Sequence, residues 1–179
     1  SIDYARQNGA HIINASWVST NYSSMLYSAI RNCQSAGIIL VAGAGNDGLD
    51  NEVVPNYPAS YDLDNIVAVA ATTRTDALAD YSNYGATSVD LGAPGSEIVT
   101  PSNAGDTTYA TVYGTSYCAP LASSVLALVK ARYPADTHVQ LINRVYAAVD
   151  PLPSLSGKCV TGGRINLAKA IGPSVGVNY

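Results

Sequence analysis

The sequence predicts an α/β fold, a mostly parallel sheet with helices on both faces, and two observations carry that expectation. The runs Ile38-Ile39-Leu40-Val41-Ala42 and Ile66-Val67-Ala68-Val69-Ala70 are continuously apolar and do not alternate. Strands of a parallel sheet covered on both sides read this way, because neither face meets water. Ahead of the first run, Met25, Leu26, Ala29, Ile30 and Cys33 recur at helical spacing, and His11-Ile12-Ile13-Asn14-Ala15-Ser16-Trp17 reads as a buried strand before them. One strand, helix, strand unit is thereby complete.

The remaining elements follow in order. Ile2, Ala5 and Arg6 form the tail of a helix that Asn8-Gly9 ends, and Gly37 caps the helix that carries Cys33. Val89-Asp90-Leu91-Gly92 supplies a further short strand, with a polar loop over residues 76–84 before it. Residues 98–100 and 109–112 form a hairpin across Asn103-Ala104-Gly105-Asp106. Ala122, Val125, Leu126 and Val129 mark a buried helix, and Pro134-Ala135-Asp136-Thr137 starts another whose inner side is Val139, Leu141, Ile142, Val145, Tyr146 and Val149. Pro151 and Pro153 end it, residues 162–166 make a turn, and Asn166 caps a last short helix.

Composition narrows the function. A chain of 179 residues is a single domain, residues 1–179, with 47% hydrophobic and only 12% charged side chains. About a quarter charged is usual, so this chain is globular and hides much of its surface. A net charge of −4 offers no basic stripe, which argues against nucleic acid and against an electrostatic membrane anchor. The longest apolar run, residues 37–43, has strand length and falls far short of the roughly 18 residues of a membrane span. The chain opens at Ser1 without an initiator Met or signal peptide and reads as an excised piece. Cys33, Cys118 and Cys159 are odd in number and lack metal-ligand spacing, leaving buried thiols and one disulfide both open. Asn14 and Asn21 each begin a glycosylation sequon, the first within an apolar strand that should shield it.

Two segments carry chemistry. Tyr113-Gly114-Thr115-Ser116-Tyr117-Cys118-Ala119-Pro120 delivers a hydroxyl to the start of the buried helix, with Pro120 expected in the first turn, where a missing amide breaks no helical bond. The unpaired amides there, at the positive end of the helix dipole, suit an oxygen nucleophile working beside a developing anion. Gly43-Ala44-Gly45-Asn46-Asp47-Gly48 matches a dinucleotide-binding turn, but residues 49–58 hold two prolines and no helical stripe, so the helix that motif requires is missing. A strand ending in Ala-Gly-Asn instead projects the Asn46 amide from the carboxyl end of the sheet.

Gly-Thr-Ser-x-x-Ala-Pro leading into a small-residue helix resembles the nucleophile segment of the subtilisin-like serine proteases, and residues 41–48 resemble their oxyanion-hole segment. Residues 12–17 are similar to the cleft-lining strand, Tyr57-Pro58-Ala59 to the loop by the S1 pocket, Ala93-Pro94-Gly95 to a turn after a later strand, and residues 162–166 to the closing segment. These matches are collinear across nearly the whole chain. The resemblance implies a partial subtilisin-like three-layer fold, the C-terminal part of a catalytic domain, cleaving peptide bonds through an acyl-enzyme. It casts Ser116 as nucleophile and Asn46, with the Ser116 amide, as oxyanion hole. Ser16, Trp17, Val18, Ala42, Gly43, Ala44, Gly45, Asn56 and Thr115 become substrate-binding residues. No cofactor is required; Asp90 matches a position sometimes used for calcium, as a structural ion.

The departures weigh as much. The family's catalytic Asp and His precede its Ser, and neither segment is present. His11 reads as a buried strand residue and His138 as a solvated helix residue, so neither serves as base. Val18-Ser19 stands where the family usually has glycines, and Tyr117 is larger than the common residue there. The isolated chain should therefore be close to inert, its partners being a peptide or protein substrate and the N-terminal part of the domain. An uncovered edge at the strand over residues 11–16 would invite dimerisation. Secretion is the expected localisation, as for most such proteases. The rival readings are a catalytically dead subtilase-like interaction module and a nucleotide-binding domain resting on residues 43–48.

Overall fold

The computed structural model describes residues 1–172. Helix α1 (Ile2–Gln7) leads to strand β1 (Ile12–Ala15), helix α2 (Ser24–Ser35) and strand β2 (Ile39–Gly43). Strands β3 (Ile66–Thr72) and β4 (Leu91–Pro94) follow, then the hairpin of β5 (Ile98–Pro101) and β6 (Tyr109–Val112). Helices α3 (Thr115–Arg132) and α4 (His138–Ala147), strands β7 (Asp150–Pro151) and β8 (Gly163–Arg164) and helix α5 (Leu167–Ile171) close the described chain. The main sheet has the order β1-β2-β3-β4-β8-β7, parallel from β1 through β8, with β7 antiparallel at the far edge.

The unbroken apolar runs acquire their meaning here. Alternate residues of β2 and β3 enter different cores: Ile39, Val41, Val67 and Val69 pack with Ala122, Leu126 and Val129 of α3 and Leu141 and Val145 of α4. Leu40, Ala42, Ile66 and Ala68 face Ile30 of α2 and Tyr61 on the other side. With both faces covered, every side chain in the two strands is apolar except Thr72 at the carboxyl end of β3, which is itself buried. Leu126 is wholly enclosed, and trimming such a residue to Ala costs about 2–5 kcal/mol.

Helix ends are fixed by local chemistry. Ser23 caps α2 by accepting from the Leu26 amide, and Thr137 with Gln140 forms a reciprocal capping box at α4. Asn166 caps α5, as its sequence suggests.

The structure revises several expectations. His11 precedes β1 and is exposed, because β1 is an edge strand and only Ala15 of it is fully buried. Asn14 is exposed for the same reason; its amide donates to Ser16 Oγ and accepts from Ser123 Oγ. Residues 163 and 164 form a sheet strand, whereas the sequence reads as a turn; two residues cannot display a period. Val139 is 37% exposed despite its place in the α4 stripe. All three cysteines are free and buried. Helix α3 begins at Thr115, so Pro120 is its sixth residue and lies beyond the first turn. The amide it lacks would have donated to the carbonyl of Ser116, and that carbonyl instead accepts from Ser16 Oγ at 2.8 Å.

Candidate active site

Ser16, Asn46, Thr115 and Ser116 meet above the carboxyl ends of β1 and β2. Gly114 opens α3 with φ of 144°, a conformation that favours glycine, and its N–H donates to Gly95 O at 2.9 Å and Tyr81 Oη at 3.1 Å. This fold-back places Thr115 and Ser116 in the first helical turn, where amides have no intrahelical acceptor.

Thr115 joins the two segments. Its backbone N–H donates to Asn46 Oδ1 at 2.8 Å and its hydroxyl to the same oxygen at 3.0 Å. An N–H can face only an acceptor, so the oxygen of the Asn46 amide must point inward and the NH₂ outward. The Thr115 hydroxyl also accepts from the Gly45 amide at 3.3 Å. A side chain at Gly43 is excluded, since a Cβ there would stand 2.8 Å from Thr115 Oγ1.

Ser116 is half-buried, and its hydroxyl donates to Ser16 O at 3.3 Å. Ser16 and Ser116 therefore hold one another through two opposed hydroxyl-to-carbonyl bonds. What assembles is a hydroxyl, a free helix-start amide and an outward NH₂ donor, the set that acyl transfer uses to attack a carbonyl and hold its oxyanion.

Of the other expected cleft residues, Trp17 and Val18 are exposed and Ser16 is half-buried. Gly43 and Gly45 are buried. Ala42, Ala44, Asn56 and Thr115 are 0%, 0%, 1% and 1% exposed, so their side chains are enclosed. Asn56 lies under Gly45, its Nδ2 turned to Asn51 Oδ1 and Val54 O.

His138 opens α4 and pairs with Asp64 at 3.4 Å, beside Gly37, at the amino ends of β2 and β3 and thus at the opposite end of the sheet from Ser116. Asp90, the calcium candidate, sits just before β4, and its Oδ2 accepts from the Ala68 amide at 2.6 Å. Among the described residues no group of three or more His, Cys, Asp or Glu side chains gathers as a metal cluster. Burial pushes the Cys118 thiol up to about 12, so it stays protonated two residues from Ser116. No helix opens behind Gly43–Gly48, the next one in the chain being α3, so the dinucleotide motif lacks its phosphate-binding end.

Sequence reasoning passes over Tyr81, Asn51 and Asn83, which surround this site from below. They lie in loops whose polarity reads as solvent exposure, yet Asn51 and Asn83 are 2% and 0% exposed.

A subtilase family model (peptidase S8) matches residues 1–152. The chain belongs to the subtilase family. It is 41% identical over 140 residues to the minor extracellular protease Epr of Bacillus subtilis, spanning 78% of this chain and 21% of that one. It is 39% identical over 158 residues to a thermostable alkaline protease of Halalkalibacterium halodurans, spanning 87% and 42%. Against subtilisin Savinase of Lederbergia lenta the figures are 35% over 144 residues, 80% and 51%. The subtilase chain thus spans about half or less of the length of these relatives. Among solved structures, the prenylagaramide maturation protease PagA superposes with a TM-score of 0.80 at 28% identity, over 95% of this chain and 64% of that one. A Pseudoalteromonas arctica protease gives 0.81 at 28%, over 92% and 51%.

Proposed function

We propose that this chain carries the nucleophile and oxyanion hole of a subtilisin-like serine endopeptidase and forms the C-terminal part of its catalytic domain. The observation that carries the reading is the 2.8 Å bond from the Thr115 amide to Asn46 Oδ1, which turns the Asn46 NH₂ outward beside Ser116. Ser116 Oγ attacks the scissile carbonyl carbon while its proton passes to a histidine base supplied by sequence outside this chain. The carbonyl oxygen, now an anion, takes the Ser116 N–H and Asn46 Nδ2–H. Collapse returns the proton to the leaving amine, and water then hydrolyses the Ser116 ester by the same route. No cofactor enters these steps.

The histidine and its orienting aspartate are assigned to an N-terminal part seated along the open edge of the sheet at β1. Support comes from the relatives, of whose length the matched part is only 42% and 51%, and from Ile12 and Ile13, only half-buried on that edge. Without that part Ser116 lacks a base, and the chain alone is inert. The bare edge would then pair with a second copy. Peptides or proteins are the substrates, met by Ser16, Trp17 and Val18. Calcium at Asp90 is no part of the chemistry proposed. Secretion is proposed from the extracellular relative.

The test is a fluorophosphonate probe on the full-length protein and its Ser116→Ala variant. Labelling of the parent alone is expected. Equal labelling of both would remove Ser116 from this role.

A further inference from the structure

We infer that Asn83 is the positioning residue for the oxyanion-binding amide of Asn46, an inference that rests on the proteolytic reading of Ser116. Asn46 lies between two peptide groups, and Asn83 holds both. Its backbone N–H donates to Gly45 O at 3.0 Å. Its side-chain Oδ1 accepts from the Asp47 N–H at 2.9 Å and from the Leu49 N–H at 3.1 Å. A single enclosed residue thus brackets the main chain before and after the exposed Asn46.

The clamp is itself anchored. Asn83 Nδ2 donates to Asn51 Oδ1 at 3.0 Å, and Asn51 Nδ2 donates to Ala44 O at 2.9 Å, carrying the restraint back to the end of β2. There is no slack against the turn, because a Cβ on Gly45 would stand 2.3 Å from Asn83 Nδ2. Division of labour follows: Thr115 orients the Asn46 side chain, and Asn83 fixes the backbone that carries it.

The neighbouring Tyr81 completes the frame. Its hydroxyl accepts from the Gly114 N–H at 3.1 Å and donates to Gly95 O at 2.7 Å, and its carbonyl accepts from the Gly48 N–H at 2.8 Å. Supports for the nucleophile turn and for the oxyanion turn therefore end on residues 81 and 83 of one loop. An oxyanion site works because its donors are already aimed before charge develops, so loss of the support should appear in the chemical step.

The test uses the full-length enzyme on a peptide p-nitroanilide, with Asn83→Ala, Asn46→Ala and the double variant. Asn46→Ala should lower kcat by about 10²- to 10³-fold, a magnitude carried over from a subtilisin and not worked from this geometry. Asn83→Ala alone should lower kcat by about 10- to 100-fold with KM changed less than about twofold, the pattern of a misplaced transition-state donor. In the Asn46→Ala background the same change should cost less than about threefold, since no amide remains to be aimed. Full additivity, or a loss confined to KM, overturns the inference. If Asn83→Ala does not fold, Asn83→Ser, which keeps the backbone donor and a short polar group, is read in the same cycle with the same two outcomes. An inactive parent, or an Asn46→Ala variant with unchanged kcat, defeats the reading of the site and this inference with it; additivity in an active enzyme defeats this inference alone.

Discussion

Replacing Asp90 by Asn should stabilise the protein at neutral pH and above, and far less near pH 4. The Asp90 carboxyl borders a cavity of about 640 Å³ whose walls include Glu52, Asp62, Asp64 and Tyr146. Burial pushes it up from 3.8 to about 6, against the opposing effects of the Ala68 N–H and the Tyr146 hydroxyl. The folded protein therefore holds this proton more tightly than the unfolded chain does. Stability from the group is fully present below pH 3.8 and is lost as pH rises through about 6. The difference corresponds to about 3 kcal/mol at its greatest, at 1.36 kcal/mol for each tenfold change in proton affinity. Asn keeps an acceptor for Ala68 and cannot ionise. The assay is urea unfolding of the full-length protein from about pH 4 to 8, with Ser116→Ala in both forms to prevent self-digestion. The stability of Asp90→Asn relative to its parent should climb by up to about 3 kcal/mol across that span. A difference that stays level, or shrinks toward pH 8, would refute the reasoning.

Three further expectations concern the site. Gly43→Ala should cost about 1–3 kcal/mol of stability and slow turnover, because its methyl would press on Thr115; thermal unfolding and kcat report the two effects, and an unperturbed kcat would contradict it. Cys118 should resist iodoacetamide at pH 8 in the native protein and react once unfolded, as burial keeps the thiol protonated; native labelling read by mass spectrometry would count against the packing described. Ser16→Ala should cost about 1–2 kcal/mol by leaving the Ser116 carbonyl without its donor, and Pro120→Ala should reduce that cost by restoring a helical amide; equal costs in both backgrounds would show the two positions to be uncoupled.

Regular elements are plain in the sequence wherever one physical rule dominates. Ile38–Ala42 can be nothing but a strand covered on both sides, and Thr137 with Gln140 announces a helix start. Ser116 and Asn46 are found because the segments around them, Gly114 to Pro120 and residues 41–48, resemble subtilase segments in the right order; either residue alone reads as a helix cap or a turn residue. Other features depend on partners far along the chain. Asn83 looks like any loop asparagine until Gly45, Asp47 and Leu49 close around it, and His11 looks buried until β1 proves to be an edge. Val139 follows the α4 stripe, but the helix borders a cavity there, so periodicity overstates its burial.

The carbonyl that Pro120 leaves without a helical donor acts as a strut across the cleft. Because Ser16 directly follows β1, the strand expected to receive the peptide, a shift of that strand reaches residue 116 without any change in residue 116 itself. Variation at position 16 is in that sense variation in reactivity as much as in recognition.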